Sequence, residues 1–358
     1  MKVCLSAGGT GGHIYPAIAF GEACLKRDWE VIYVGNASNM EGALTKKHGI
    51  AFRGISAKSI TGNPVQKLYR IGLQVFSIVQ SLGILLKEKP DIVIGFGGFV
   101  TAPIVIASYL LRIPVLLHEQ NAIPGKANLK LQSFAKGVVT CYPTTESLFR
   151  IKTRFLGNPR ATIASENKKN PYILNQLNLD ESKPLVLIVM GSLGSLSVNE
   201  ILIEFSKLVE HSPDIQYVIV LGRRFYTTMI EKFSTSTHVH VIDYVEQIDL
   251  LPYVDVMVAR AGATSAAEML AMGVPSILIP SPFVPNDHQR HNALVLEQSH
   301  ASMMLEEKDL DAQTLKSKIE SLVYHPQIKE QMSINARKLA KPHAIEEMMA
   351  WVEDMVKS

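Results

Sequence analysis

The chain has 358 residues, 47% of them apolar and 19% charged, which is enough for two α/β domains of ordinary size and excludes a disordered chain. A formal net charge of +3 is too small to point to nucleic acid. Cys4, Cys24 and Cys141 are odd in number and lack any Cys-x-x-Cys pair, which excludes a disulfide framework or a zinc site and fits a reducing compartment.

The chain enters an apolar strand at residues 3–6, with no secretory signal pattern ahead of it, so a cytoplasmic setting is expected. That strand runs into Gly8-Gly9-Thr10-Gly11-Gly12-His13, and a helix is predicted over about 15–27 with Pro16 in its first turn. Such a loop lets phosphate or sugar oxygens approach the backbone. It is not a Walker loop, because no Gly-Lys-Ser/Thr follows. It also fails as a dinucleotide fingerprint: Ile14 stands where the third glycine belongs, and the strand at 31–34 ends in Gly35-Asn36 without an acidic residue.

A long helix is predicted over 64–89; its charge-free run, Ile71 to Leu86, is short for a membrane span. Arg70, Gln74, Ser77, Ser81 and Glu88 form one polar stripe, and the rest of its circumference is apolar. Ile71, Ile78, Leu82 and Leu85 are expected to cover a sheet. Leu73, Phe76 and Val79 are then left near solvent between Lys67, Arg70, Lys87 and Lys89, the pattern of an interfacial membrane patch. Burial under a neighbouring helix is the other reading.

Further strands at 91–94, 114–117 and 137–141 alternate with helices and end in Gly97-Gly98-Phe99 and His118-Glu119-Gln120-Asn121. Nearly continuous apolar strands between helices imply a parallel sheet covered on both faces, with ligands beyond the C-terminal strand ends. Turn-like and polar segments between 155 and 184 mark a boundary. The pattern then restarts, with a strand at 185–190 opening into Gly191-Ser192-Leu193-Gly194-Ser195 and further strands at 216–221 and 276–280. A strand ending near Ala259 leads into Arg260-Ala261-Gly262-Ala263-Thr264-Ser265, a turn whose helix N-terminus suits a diphosphate. Thr264 and Glu268 share a helix face there, where a carboxylate can accept two hydrogen bonds from a ribose diol. An ordinary strand–helix turn with a dipole-favoured glutamate is the bland alternative. The expected fold class is α/β: two doubly wound Rossmann-like domains facing a cleft, 1–156 with a terminal helix at 342–358 returning to it, and 157–341.

Together Gly8 to His13, Gly97-Gly98-Phe99-Val100, His118 to Asn121, Gly157-Asn158-Pro159 and the Gly262 to Glu268 turn followed by Asp287-His288-Gln289 and Asn292-Ala293 resemble the bacterial peptidoglycan N-acetylglucosaminyltransferases, which convert lipid I to lipid II. The likeness covers nearly the whole chain and is specific in combination. It implies the GT-B fold, UDP-N-acetylglucosamine as donor and a lipid-linked muramyl-pentapeptide (lipid I) as acceptor. It also implies an inverting transfer forming a β-1,4 link without metal or cofactor. The setting it implies is the cytoplasmic face of an anionic membrane, within cell-wall synthesis, cell shape and division, with other cell-wall enzymes as partners.

Carried over by position, Ala263, Thr264 and Ser265 lie near sugar and diphosphate, Glu268 holds the ribose, and Gln289 holds hydroxyls of the transferred sugar. Ser192 lies near ribose or phosphate, and Tyr244 and Val245 bracket the uracil, Val245 through its backbone. Thr10, Gly11, Gly12 and Asn121 complete the donor site from the first domain, joined by Arg160 in a motif one residue shorter than the family's. In the third glycine loop Met190 replaces a glycine and Leu193 a glutamine.

Attack on the anomeric carbon needs a base for the acceptor hydroxyl and stabilisation of the departing diphosphate. His13 is the first candidate base, its ordinary pKa suiting that task, with a helix-start hydrogen bond as the structural alternative. Glu119 is the rival base or a structural carboxylate; Arg260 is a further candidate for the leaving-group charge. Asp309-Leu310-Asp311 reads as a solvated helix start and not as a metal motif. Two rival functions stay open: a UDP-N-acetylglucosamine 2-epimerase, which needs no lipid acceptor, and a non-catalytic sugar-nucleotide-binding subunit, which needs a partner chain.

Overall fold

A computed structural model describes residues 1–191 and 194–357. The chain forms two compact units, Met1–Thr162 with the C-terminal segment from His343, and Ile163–Pro342. The division falls inside the helix Pro159–Glu166, a few residues beyond the expected boundary.

The first unit holds β1 (Lys2–Ala7), β2 (Glu30–Asn36), β3 (Ala51–Ile55), β4 (Ile92–Gly97), β5 (Val115–Glu119), β6 (Gly137–Thr140) and β7 (Thr153–Phe155). All pair in parallel, in the order β3-β2-β1-β4-β5-β6-β7. The central strands are buried along their length, as a sheet covered on both faces requires. The terminal helix Ala344–Lys357 belongs to this unit and buries Trp351 against β6; a methyl group on Gly137 would stand 2.7 Å from Trp351 Cζ2. Arg154 covers the indole, 4.8 Å from its centroid.

The opening helix spans Gly11–Lys26 and so starts four residues earlier than expected, inside the glycine loop. The long helix runs Pro64–Glu88, opened by an Asn63/Gln66 capping box. Its orientation corrects the sequence reading, because the polar stripe faces inward. Ser77 and Ser81 are buried beside Leu85. Gln74 donates to Lys58 O at 2.7 Å, Gln80 accepts from Ser56 N at 2.9 Å, and Glu88 receives Lys2 and Arg53. The serines return their hydroxyls to Leu73 O and Ser77 O, so small polar side chains let the helix pack closely without orphaned groups. Ile78 and Leu82 are partly buried, but Ile71, assigned to the sheet, is exposed. Of the proposed patch, Phe76 and Val79 are exposed at 53% and 60%, whereas Leu73 is half-buried. The outward face also carries Val65, Leu68, Tyr69, Val75 and Leu86.

The second unit repeats the plan with β8 (Leu185–Val189), β9 (Gln216–Val220), β10 (Val239–Ile242), β11 (Val256–Ala259), β12 (Ser276–Leu278) and β13 (Met303–Met304). Their order is β10-β9-β8-β11-β12-β13, again parallel throughout. Asp311 caps the helix Ala312–Val323 by accepting from Thr314 N at 2.7 Å, the role read for that acidic pair.

Candidate functional site

In each sheet the strand order reverses direction once, between β1 and β4 in the first unit and between β8 and β11 in the second. Loops leaving the C-terminal ends there diverge and leave a crevice. The glycine-rich loops occupy both places.

In the first unit the loops after β1 and β4 pack closely through their glycines, with Phe99 and Val100 against Gly9 and Gly8. A Cβ on Gly98 would stand 2.1 Å from Gly8 O, and Gly97 and Gly98 have φ of +103° and +87°. Gly8 N donates to Gly97 O at 3.3 Å. Beneath them lies Glu41, fully buried, whose Oε1 accepts from Gly9 N at 3.4 Å. Thr10 is the N-cap of the opening helix, yet its hydroxyl makes no cap bond. Its Oγ1 lies 3.0 Å from His13 Nδ1 instead. The imidazole packs on Gly97, where a methyl group would reach 2.8 Å from Cδ2. If Nδ1–H donates to Thr10, Nε2 keeps its lone pair, the form a general base requires.

The loop after β5 is held from inside. Glu119 is buried; its Oε1 accepts from Asn121 N at 3.0 Å and Asn121 Nδ2 at 3.2 Å, its Oε2 from Gly125 N and Asn128 Nδ2, both at 2.9 Å. Burial pushes its carboxyl pKa up while these bonds pull it down. Both oxygens are thus bonded to the loop that follows the strand. Asn121 is oriented by that carboxylate. His118 is buried on Phe96, ring centroids 4.9 Å apart, with Nδ1 receiving Gln120 Nε2 and Nε2 facing Gly157 O. Desolvation lowers its pKa to about 4, so it stays neutral near pH 7. Past Gly157, Arg160 lies over the Tyr15 ring at 6.0 Å, and that ring lies against Gly11.

In the second unit Gly262 caps the helix Ala263–Met272 with extended backbone and no side-chain cap. The first intrahelical bond runs from Ala266 N to Gly262 O at 2.9 Å, so the amides of Ala263, Thr264 and Ser265 precede the ladder and point along the dipole. Among the described residues, and leaving aside its neighbours in the chain, nothing lies within 4 Å of the place a Cβ on Gly262 would take. Gly273 ends the helix in the left-handed conformation, as the Gly-Val-Pro sequence predicts. Glu268 is 4% exposed and accepts from Gln247 Nε2 at 2.8 Å. Gln289 accepts from Ser281 N at 2.9 Å through Oε1. Buried Asn292 donates to Ala261 O at 3.0 Å and fixes the turn from below. Tyr244 and Val245 follow β10; Arg223 covers the Tyr244 ring at 4.6 Å, and the Tyr244 hydroxyl donates to Glu246.

Arg260 is buried and paired. Its guanidinium pairs with Glu307 at 2.6 Å and donates to Ser195 Oγ at 2.7 Å and to Ile279 O at 3.1 Å. Removing one partner of so buried a pair costs about 3–5 kcal/mol, so the guanidinium is also a brace of the turn. Ser192 and Leu193 lie outside the described residues. Among the described residues no group of three or more His, Cys, Asp or Glu side chains is placed to hold a metal.

Thr10, Gly11, Gly12 and His13 thus share one helix start, with Asn121 on the strand-end loop two strands away, while Ala263, Thr264, Ser265 and Glu268 share another. Gln247, Asn292 as a brace, Glu41 and Glu307 were not found as contributors from sequence. Each sits far along the chain from the group it supports, and only a buried carboxylate or amide near a glycine turn could have signalled it.

Residues 3–140 match the glycosyltransferase family 28 N-terminal domain and residues 185–348 its C-terminal domain. A protein of Thermoanaerobacter sp. (strain X514), named UDP-N-acetylglucosamine--N-acetylmuramyl-(pentapeptide) pyrophosphoryl-undecaprenol N-acetylglucosamine transferase, is 35% identical over 99% of this chain and 100% of its own length. The crystal structure of Acinetobacter baumannii MurG superposes with a TM-score of 0.80 at 26% identity, covering 99% of both chains. A UDP-GlcNAc 2-epimerase from Neisseria meningitidis bound to UDP-GlcNAc shares the fold, with a TM-score of 0.71 at 17% identity and full coverage of both chains.

Proposed function

Because this chain belongs to glycosyltransferase family 28, we propose that it transfers N-acetylglucosamine from UDP-N-acetylglucosamine to undecaprenyl-pyrophosphoryl-N-acetylmuramoyl-pentapeptide, forming the β-1,4 link of lipid II in peptidoglycan synthesis. The observation that carries the reading is the turn from Gly262 to Glu268. It offers a diphosphate the start of a helix with small side chains, and one turn on it presents a buried carboxylate to a ribose. Ala263, Thr264, Ser265, Gln289, Tyr244 and Val245 would bind the rest of the donor.

In the transfer, the acceptor hydroxyl oxygen attacks the anomeric carbon from the face opposite UDP. The bond to the diphosphate oxygen breaks with inversion, and UDP leaves carrying the electron pair. His13 Nε2 takes the hydroxyl proton. The amides at the start of the Ala263–Met272 helix oppose the charge that grows on the diphosphate. Thr10, Gly11, Gly12, Asn121 and Arg160 are proposed to bind on the first unit.

The same reading places the enzyme at a membrane surface, as a peripheral protein on its cytoplasmic face. The outward face of Pro64–Glu88, with Lys67, Lys87 and Lys89 exposed along it, supports this. By length and mean hydropathy the helix could cross a membrane, but its polar stripe is hydrogen-bonded to its own unit, and that favours lying on the surface.

The test is transfer of radiolabel from UDP-N-acetylglucosamine to a short-chain lipid I analogue by the purified chain, with chelator present. Labelled disaccharide product is expected. Epimerisation of the donor without acceptor would establish the isomerase instead, and donor binding with neither reaction would establish a non-catalytic subunit.

A further inference from the structure

We propose that Gln247 is a positioning residue for the donor's ribose: it aims the Glu268 carboxylate and ties it to the segment that brackets the base. The inference rests on the reading of Glu268 as the ribose ligand. Glu268 is almost fully buried, so the direction its carboxylate faces is set by the groups packed around it. Gln247 donates to its Oε2 at 2.8 Å. The donor is a neutral amide, so it fixes the rotamer without cancelling the charge that two ribose hydroxyls would meet.

The two residues come from distant places. Gln247 opens the short helix Gln247–Leu250, directly after Tyr244, Val245 and Glu246, and follows β10. Glu268 stands one turn into the helix that follows β11. Strands β9 and β8 lie between β10 and β11 in the sheet, and the connection from β10 to β11 carries Gln247 across the ligand end of the unit to within 2.8 Å of Glu268. One hydrogen bond therefore links the base-bracketing segment to the ribose carboxylate, and base and sugar contacts are set together. A glutamine serving only its own short helix would not need a side-chain partner 21 residues away in sequence.

The experiment compares UDP with 2′,3′-dideoxy-UDP by calorimetry on the full chain. In the unmodified protein the missing diol should weaken binding strongly. Gln247→Leu should lower UDP affinity by about tenfold, the worth of one hydrogen bond to a charged group, and affect the dideoxy analogue much less, so that discrimination shrinks. General damage to the unit would weaken both ligands alike. Gln247→Glu, which sets a second carboxylate against Glu268, should bind UDP poorly near neutrality and recover as pH falls and the pair takes up a proton. Glu268→Gln is the control for the underlying reading: if it keeps full discrimination, the ribose assignment itself fails. If Glu268→Gln loses discrimination while both Gln247 variants keep it, the ribose assignment stands and the inference about Gln247 is wrong.

Discussion

His13 is held between Thr10 and Gly97: Nδ1 lies 3.0 Å from Thr10 Oγ1, and the ring rests where a side chain on Gly97 would be. Thr10 has left its helix without a side-chain cap to make this contact, a sacrifice of about 1 kcal/mol in helix stability. Local strain or lost stability kept at one point is a mark of function. Thr10→Val should therefore lower turnover by about tenfold and alter the pH profile of kcat, and Thr10→Ser should restore both. An unchanged profile in Thr10→Val would reduce the pair to a surface contact.

His13→Ala should lower kcat by about 10²–10⁴-fold while UDP binding stays nearly intact, since proton removal matters only in the transition state. Glu119→Ala should show a different signature. Its four hydrogen bonds organise residues 121–128, so the variant should lose thermal stability first. Steady-state kinetics beside melting curves separate the two, and a stable, catalytically dead Glu119→Ala with an active His13→Ala would exchange the roles.

For Glu268→Ala, donor and UDP affinity should both fall by about 1.5–3 kcal/mol, the range for hydrogen bonds to a charged group. UDP alone suffices as probe because the contact is to ribose. Calorimetry giving wild-type affinity would remove Glu268 from the site.

His118 sets an acid limit on the fold. Its folded pKa is about 4 against 6.5 ordinarily, because burial penalises the imidazolium. Between those values the unfolded chain binds a proton that the folded chain does not, so stability is lost as pH falls from 6.5 towards 4. The gap is worth about 3 kcal/mol. Glu119, shifted upward by burial, contributes with the opposite sign above its ordinary value, so the comparison must be differential. His118→Gln should melt lower near neutrality but with a flatter pH dependence between 6.5 and 4.5. Parallel melting curves for the two proteins would show that His118 is not the acid-sensitive group.

The strands that sequence made legible are the buried ones, and the four it missed are the sheet edges. β3, β7, β10 and β13 each lie at an end of a sheet, are short, and carry half-exposed side chains. An edge strand packs on one neighbour and needs no continuous apolar run, so periodicity has little to detect. The glycine turns were legible because phosphate approach and left-handed backbone both demand glycine in a fixed strand–helix context. Their supports were not: Gln247, Asn292 and Glu307 act across 21, 31 and 47 residues of chain. The long helix misled for a physical reason. Amphipathic periodicity says which residues share a face, but it does not say which face turns inward, and here the small polar stripe is the one that packs.

That last point gives a test of the membrane face. Phe76 and Val79 point away from the unit, so Phe76→Ser with Val79→Ser should leave the thermal midpoint and turnover of a short-chain acceptor almost unchanged. Exposed substitutions of this kind shift stability by less than about 0.5 kcal/mol, whereas the same changes in a core would cost several. Ser81→Leu is the opposite control. It forces a large side chain into the buried stripe, where overpacking should cost about 1–3 kcal/mol while leaving the outward face intact. Sedimentation with anionic vesicles should fall for the double variant and persist for Ser81→Leu at temperatures where that variant is folded. Binding of the unmodified protein should weaken with salt, because Lys67, Lys87 and Lys89 would each contribute about 1 kcal/mol at such a surface. Activity on membrane-embedded lipid I should drop with vesicle binding. A double variant that melts many degrees lower yet sediments as before would mean that this face is covered by protein and not by lipid.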